Sequence, residues 1–149
     1  MRAVVQRVSR AKVTVDGNVT GEIAHGSLVL LGVSVADKES DADYLVDKIV
    51  NLRIIEDASG KMNLSLADNG GGMLVVSQFT LYGDTRHGRR PSYIDAARPE
   101  EAKRLYEYFV TQARKHVDQV ETGIFQAMMD VEIVNEGPVT IILDSEKTI

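Results

Sequence analysis

A Gly-Pro pair stands inside a β-branched run near the end of this chain, in Val134-Asn135-Glu136-Gly137-Pro138-Val139-Thr140-Ile141. Proline removes a donor from any sheet ladder it enters, so its presence in such a run needs a reason. Glycine in front of it lets another molecule approach the backbone closely. An X-Pro bond is also the one common setting for a cis peptide, which turns successive carbonyls in directions that a trans strand cannot reach. A second segment, Ser77-Gln78-Phe79-Thr80-Leu81-Tyr82, places hydroxyls and an amide where a plain core strand needs none. Together the two segments read as an active site built largely from backbone groups.

Around them the pattern is mostly that of strands. Residues 2–8 and 11–15 read as strands, and Asp16-Gly17 forms a hairpin turn into Val19–Ile23. Ser27–Val35 is nearly all apolar, as in a strand buried on both faces. Short strands are expected at Arg53–Ile55 and Met62–Leu66, a strong one at Met73–Tyr82, and others at Val120–Gln126, Asp130–Val134 and Val139–Leu143. Two helices interrupt them. Ser40-x-x-Asp43 resembles a capping box and opens the first, which runs to about Leu52. Pro99 suits the first turn of the second, with Glu100 and Glu101 where the helix dipole favours acids. Its buried stripe is Ala102, Leu105, Tyr106, Phe109, Ala113 and Val117. The expected fold is a strand-rich, mixed α/β domain over residues 1–149, with sheets packed together and helices covering one side.

Composition narrows the chemistry. The chain of 149 residues has no cysteine, which excludes disulfides, thiolate metal sites and a cysteine nucleophile, and suits a reducing cytoplasm. No window approaches the roughly 18 apolar residues of a membrane span, and no leader-like apolar stretch opens it. A net charge of −5 disfavours tracking along a duplex. The charge is nevertheless uneven. Residues 83–98 hold Arg86, Arg89, Arg90 and Arg98 against Asp84 and Asp95. A tight Arg86-His87-Gly88-Arg89-Arg90 cluster either grips a few phosphates or stands as solvated loop.

Neither a Gly-x-Ser-x-Gly elbow nor a His-Glu-x-x-His pattern occurs, and His25, His87 and His116 lie in no nucleophile motif. Ser77 and Thr80 therefore have no evident base, and a hydroxyl nucleophile needs one. Gly70-Gly71-Gly72 precedes a strand rather than a helix, so it is no phosphate loop. An aromatic content of 5% is too low for a base-stacking platform.

The chain resembles the D-aminoacyl-tRNA deacylases along its full length. The resemblance is carried by Ser77-Gln78-Phe79-Thr80, by Thr85-Arg86-x-Gly88-Arg89-Arg90-Pro91-Ser92, and by Asn135-x-Gly137-Pro138-Val139-Thr140, in that order. It implies a three-layer β/β/α fold with mostly antiparallel strands and two main helices. It implies a homodimeric hydrolase that cleaves the ester between a D-amino acid, or mischarged glycine, and the 3′ end of tRNA, with no metal or organic cofactor.

In that family Gly137-Pro138 is a cis unit that enters the partner's site and rejects L side chains as a chiral filter. Ser77, Gln78, Phe79 and Thr80 would line the opposite wall, with the Phe79 and Thr80 amides as oxyanion donors. Gln78 would orient substrate or water, Arg7 would hold the Gly-Pro loop, and Arg86, Arg89 and Arg90 would meet tRNA phosphates. The alternative is a non-catalytic nucleic-acid-binding module using the same basic loop.

Overall fold

The β-branched runs become one curled sheet, seen in a computed structural model that describes residues 1–149. β1 (Arg2–Val15) is a single long strand, where the sequence suggested two. Its first half pairs antiparallel with β3 (Gly26–Gly32), and its second half with β2 (Asn18–Ile23). β8 (Asp130–Asp144) pairs with β1 along nearly its whole length. The two final strands expected from the sequence are thus one strand, and Gly137-Pro138 lies within it. β6 (Gly72–Ser77) adds parallel to β3, and β7 (Val120–Thr122) parallel to β6. Gln119 Nε2 donates to the Glu22 carbonyl at 3.3 Å, so the far edge of the sheet returns beside β2.

α1 (Glu39–Val50) and α3 (Pro99–Ala113) pack on the sheet through a large apolar core that includes Leu45, Ile49, Leu105 and Phe109. Of the stripe read from the sequence, α3 buries Ala102, Leu105, Tyr106, Phe109 and Ala113, and it adds Val110, which the sequence reading left out. Tyr106 crosses this core to donate to the Val75 carbonyl at 2.7 Å, a bond worth about 1 kcal/mol. A second core, with Val8, Val13, Ile23, Leu28, Leu74 and Val76, fills the inside of the curl. The three-layer, strand-rich arrangement with mostly antiparallel pairing follows from these two cores, one on each face of the sheet.

Local boundaries differ from the sequence reading for identifiable reasons. α1 is capped at Lys38, not Ser40: Asp41 accepts the Lys38 amide at 2.8 Å and so closes the first turn two residues earlier. α3 stops at Ala113, and Val117 is buried beyond its end. The expected 53–55 strand is the short β4 (Ile55–Glu56), paired with β5 (Met62–Leu64). A further one-turn helix, α2 (Leu66–Asn69), is capped by the Ser65 hydroxyl and ended by Gly70. Most consequential, the strand expected over 73–82 ends at Ser77, and the chain turns into a 3-10 helix at Phe79–Tyr82.

Candidate active site

The break at Ser77 places the first polar segment at the end of a buried strand. Gln78 keeps one hydrogen bond to the sheet, from its amide to the Leu31 carbonyl at 2.8 Å, before the 3-10 turn begins. Leu81 then donates to the Gln78 carbonyl at 3.2 Å. The amides of Phe79 and Thr80 open this turn, and the opening amides of a helical turn have no partner within it. Phe79 and Thr80 are exposed, and the Phe79 ring meets Tyr93 edge-on, centroids 5.0 Å apart. The Gln78 side-chain amide donates to the Thr80 hydroxyl oxygen.

In front of the turn lies a cleft of about 740 Å³. Ser77, Gln78, Phe79 and Thr80 form one wall, Tyr93, Ala97 and Pro99 another, and Phe125–Met129 with Val131 a third. The lining contains no histidine, carboxylate or lysine, and its one charged residue is Arg98. Such a cleft has nothing to deprotonate a hydroxyl, but the 3-10 turn opened by Phe79 and Thr80 stands in its wall, and its apolar surface raises the electrostatic effect of any donor there.

Gly137-Pro138 does not line this cleft. Its peptide bond is cis, Gly137 has φ +126, and both residues are exposed. Register between β1 and β8 jumps here: Gln6 faces Thr140 and Val8 faces Asn135, so residues 136–139 have no counterpart in that ladder. Asn135 closes the excursion at its base, donating to the Arg7 carbonyl at 2.9 Å and the Val139 carbonyl at 3.0 Å. Arg7 holds it from the side. Its Nε donates to the Glu136 carbonyl at 3.2 Å, and its Nη1 to the Ile54 carbonyl at 2.6 Å. At 5% exposure Arg7 is a buried clamp rather than a surface cation.

The basic loop is closed at its neck by paired hydrogen bonds between Asp84 and Ser92, at 2.8 and 2.9 Å. Arg86 folds back on Asp84 in a bidentate pair, at 2.9 and 2.6 Å. The Arg86 guanidinium beside Asp84 holds that carboxyl far below the usual carboxylate range. Arg89 and Arg90 are exposed and enter no ion pair.

Comparison with known proteins decides the family. The family model described as D-Tyr-tRNA(Tyr) deacylase matches residues 4–144. A D-aminoacyl-tRNA deacylase of Koribacter versatilis (strain Ellin345) is 65% identical over 147 residues, 99% of each chain. That of Thermosipho melanesiensis (strain DSM 12029 / CIP 104789 / BI429) is 63% identical over 148, again 99% of each. The chain belongs to the D-aminoacyl-tRNA deacylases.

The solved structure of a c-Myc DNA Unwinding Element Binding Protein superposes with a TM-score of 0.92 at 44% identity, covering 97% of this chain and 98% of that one. A probable eukaryotic D-amino acid tRNA deacylase shares the fold, with a TM-score of 0.82 at 16% identity, covering 95% and 97%.

As a deacylase the chain is a hydrolase, and the site residues expected from the sequence fall into two places. Ser77, Gln78, Phe79 and Thr80 share the cleft, while Gly137, Pro138 and Arg7 share the excursion of β8. The sequence reading passed over Arg98 as one arginine of a basic stretch; only the folded chain brings it to the cleft. It also gave Asn135 no role of its own, although a side chain with both donor and acceptor is what a break in a ladder requires.

Proposed function

We propose that this deacylase hydrolyses the ester joining a D-amino acid, or mischarged glycine, to the 3′ end of tRNA, and spares L-aminoacyl-tRNA. The observation that carries the reading is the cleft walled by the opening residues of the 79–82 turn and lined by no acid–base pair. An aminoacyl ester is already activated. Positioning and oxyanion stabilisation supply much of its hydrolysis without a protein nucleophile. The Phe79 and Thr80 amides receive the developing oxyanion, Gln78 orients substrate or water, and the tRNA 2′-hydroxyl assists the attack.

Stereochemical selection falls to Gly137-Pro138. Their carbonyls, lying outside the β1 ladder, accept the substrate ammonium. With ammonium and ester both fixed, an L side chain runs into this backbone, a D side chain points to solvent, and glycine escapes rejection. This is selection by exclusion. The family resemblance implies a homodimer in which this pair serves the cleft of the second copy, a reading supported by its exposure and its place outside its own chain's cleft.

Arg89 and Arg90 meet tRNA phosphates, while Arg86, already satisfied by Asp84, shapes the loop. The rival reading is a nucleic-acid-binding module without catalysis. It draws on the 44%-identical DNA unwinding element binding protein and is opposed by the net charge of −5. Side-by-side deacylation of D-Tyr-tRNA, L-Tyr-tRNA and Gly-tRNA with a chelator present separates the two. Loss of the D and glycyl esters with the L ester spared is the expected result. Binding without turnover of any ester would establish the module instead.

A further inference from the structure

The turn that walls the cleft is held from behind by residues that never reach the cleft. Gly32 ends β3, directly opposite Arg2 in the β1 register. A Cβ built on Gly32 would lie 2.9 Å from the Gln78 carbonyl oxygen and 3.1 Å from the Leu81 Cβ. The turn therefore rests on bare backbone. The Gln78 carbonyl and the Phe79 amide belong to one planar peptide unit. Whatever presses on that oxygen also tilts the N–H on the other side of the plane.

Arg2 grips the far end of the same turn. Its Nη1 donates to the Leu81 carbonyl at 3.0 Å. The guanidinium carbon lies 4.6 Å from the centre of the buried Tyr82 ring, a cation–π contact. Its Nε lies 3.9 Å from Asp144 Oδ2, and the Asp144 side chain is 2% exposed. Burial works to raise the Asp144 pKa, but hydrogen bonds from Thr148 and the Glu146 amide, with the nearby charges, outweigh it and keep the carboxylate charged beside Arg2. The turn is thus pinned at Gln78 by Gly32 and at Leu81 by Arg2, leaving Phe79 and Thr80 between them.

We propose that Gly32 and Arg2 are positioning residues of the deacylation, fixing the direction in which the Phe79 and Thr80 amides point. The inference rests on the reading of that turn as the oxyanion wall. Donors of this kind act only when aimed at where the charge develops, and a misplacement of about 1 Å costs on the order of 100-fold in rate.

The test is single-turnover deacylation of D-Tyr-tRNA at saturating enzyme, with tRNA affinity and thermal midpoint measured alongside. Gly32→Ala is expected to lower the rate constant about 100-fold and Arg2→Met about tenfold, with tRNA affinity unchanged within about twofold. Arg2→Lys, which keeps a donor for the Leu81 carbonyl, is expected to recover most of the Arg2→Met loss. Rates within about twofold of wild type for both Gly32→Ala and Arg2→Met would overturn the proposal. So would a loss confined to tRNA affinity, or an Arg2→Lys no better than Arg2→Met. Should Gly32→Ala fail to fold, the two Arg2 variants decide alone. An inactive wild type would sink the deacylase reading and this proposal with it, whereas an active wild type beside unaffected variants sinks the positioning role alone.

Discussion

The Gln78 side-chain amide donates to the Thr80 hydroxyl oxygen within a single turn. No base touches that hydroxyl, and none lines the cleft in front of it. Thr80→Ala is therefore expected to keep deacylation of D-Tyr-tRNA within about tenfold of wild type, since it removes a hydrogen bond and no nucleophile. Rates of the folded variant check this, and abolished turnover would make Thr80 the attacking group.

Gly137→Ala should act very differently. At φ +126 an L side chain is strained, and the new Cβ would sit 2.9 Å from Val139 Cγ2 and 3.1 Å from Arg7 Nη2. The expected result is a fall in kcat/KM for D-Tyr-tRNA of about 100-fold, because a small displacement of the carbonyls misplaces the ammonium. Kinetics identical to wild type would remove Gly137 from the substrate's path.

The arginines of the basic loop should not be equivalent. Arg89→Ala and Arg90→Ala should each reduce the salt slope of tRNA binding by about one. Arg86→Ala should change it much less, because Asp84 already neutralises that charge. Affinity measured across a salt series distinguishes the three, and equal slopes for all would place Arg86 among the phosphate contacts.

Acid should release the neck of this loop only at low pH. The hydrogen bonds and charge of Arg86 depress the Asp84 pKa in the folded state. The stabilisation is therefore present above the unfolded value of about 3.9 and is lost as pH falls through the depressed one. Proteolytic susceptibility of residues 84–92 should be flat from about pH 5 to 9 and rise only below about pH 4. A rise near neutrality would mean that another group controls the loop.

How much of this was legible in the sequence depends on what each signal is made of. The α3 stripe from Ala102 to Ala113 was readable because helical periodicity is local. The end of β6 at Ser77 was not, because apolar residues continue through Phe79 and Leu81 and hide the change from strand to 3-10 turn. The odd chemistry of Gly137-Pro138 stood out, yet the break in the ladder around it depends on pairing with Gln6 and Val8, more than 120 positions away. Arg7 read equally well as a surface strand residue until Ile54 and Glu136 were seen to close over it. The members of the Ser77–Thr80 wall could be named from their order in the chain. The absence of any base across the cleft could not, because that cleft gathers residues from 33 to 131.

The separation of Gly137-Pro138 from the cleft on its own chain has a genetic consequence. A protein damaged only at the cleft still carries an intact Gly137-Pro138, and one damaged only at Gly137 still carries an intact cleft. If each Gly137-Pro138 serves the cleft of a second copy, as proposed, two such inactive proteins mixed together should complement one another, because a hybrid pair assembles one sound site beside one doubly damaged one. Loss-of-function alleles of this gene should therefore fall into two groups, silent within a group and mutually rescuing between them.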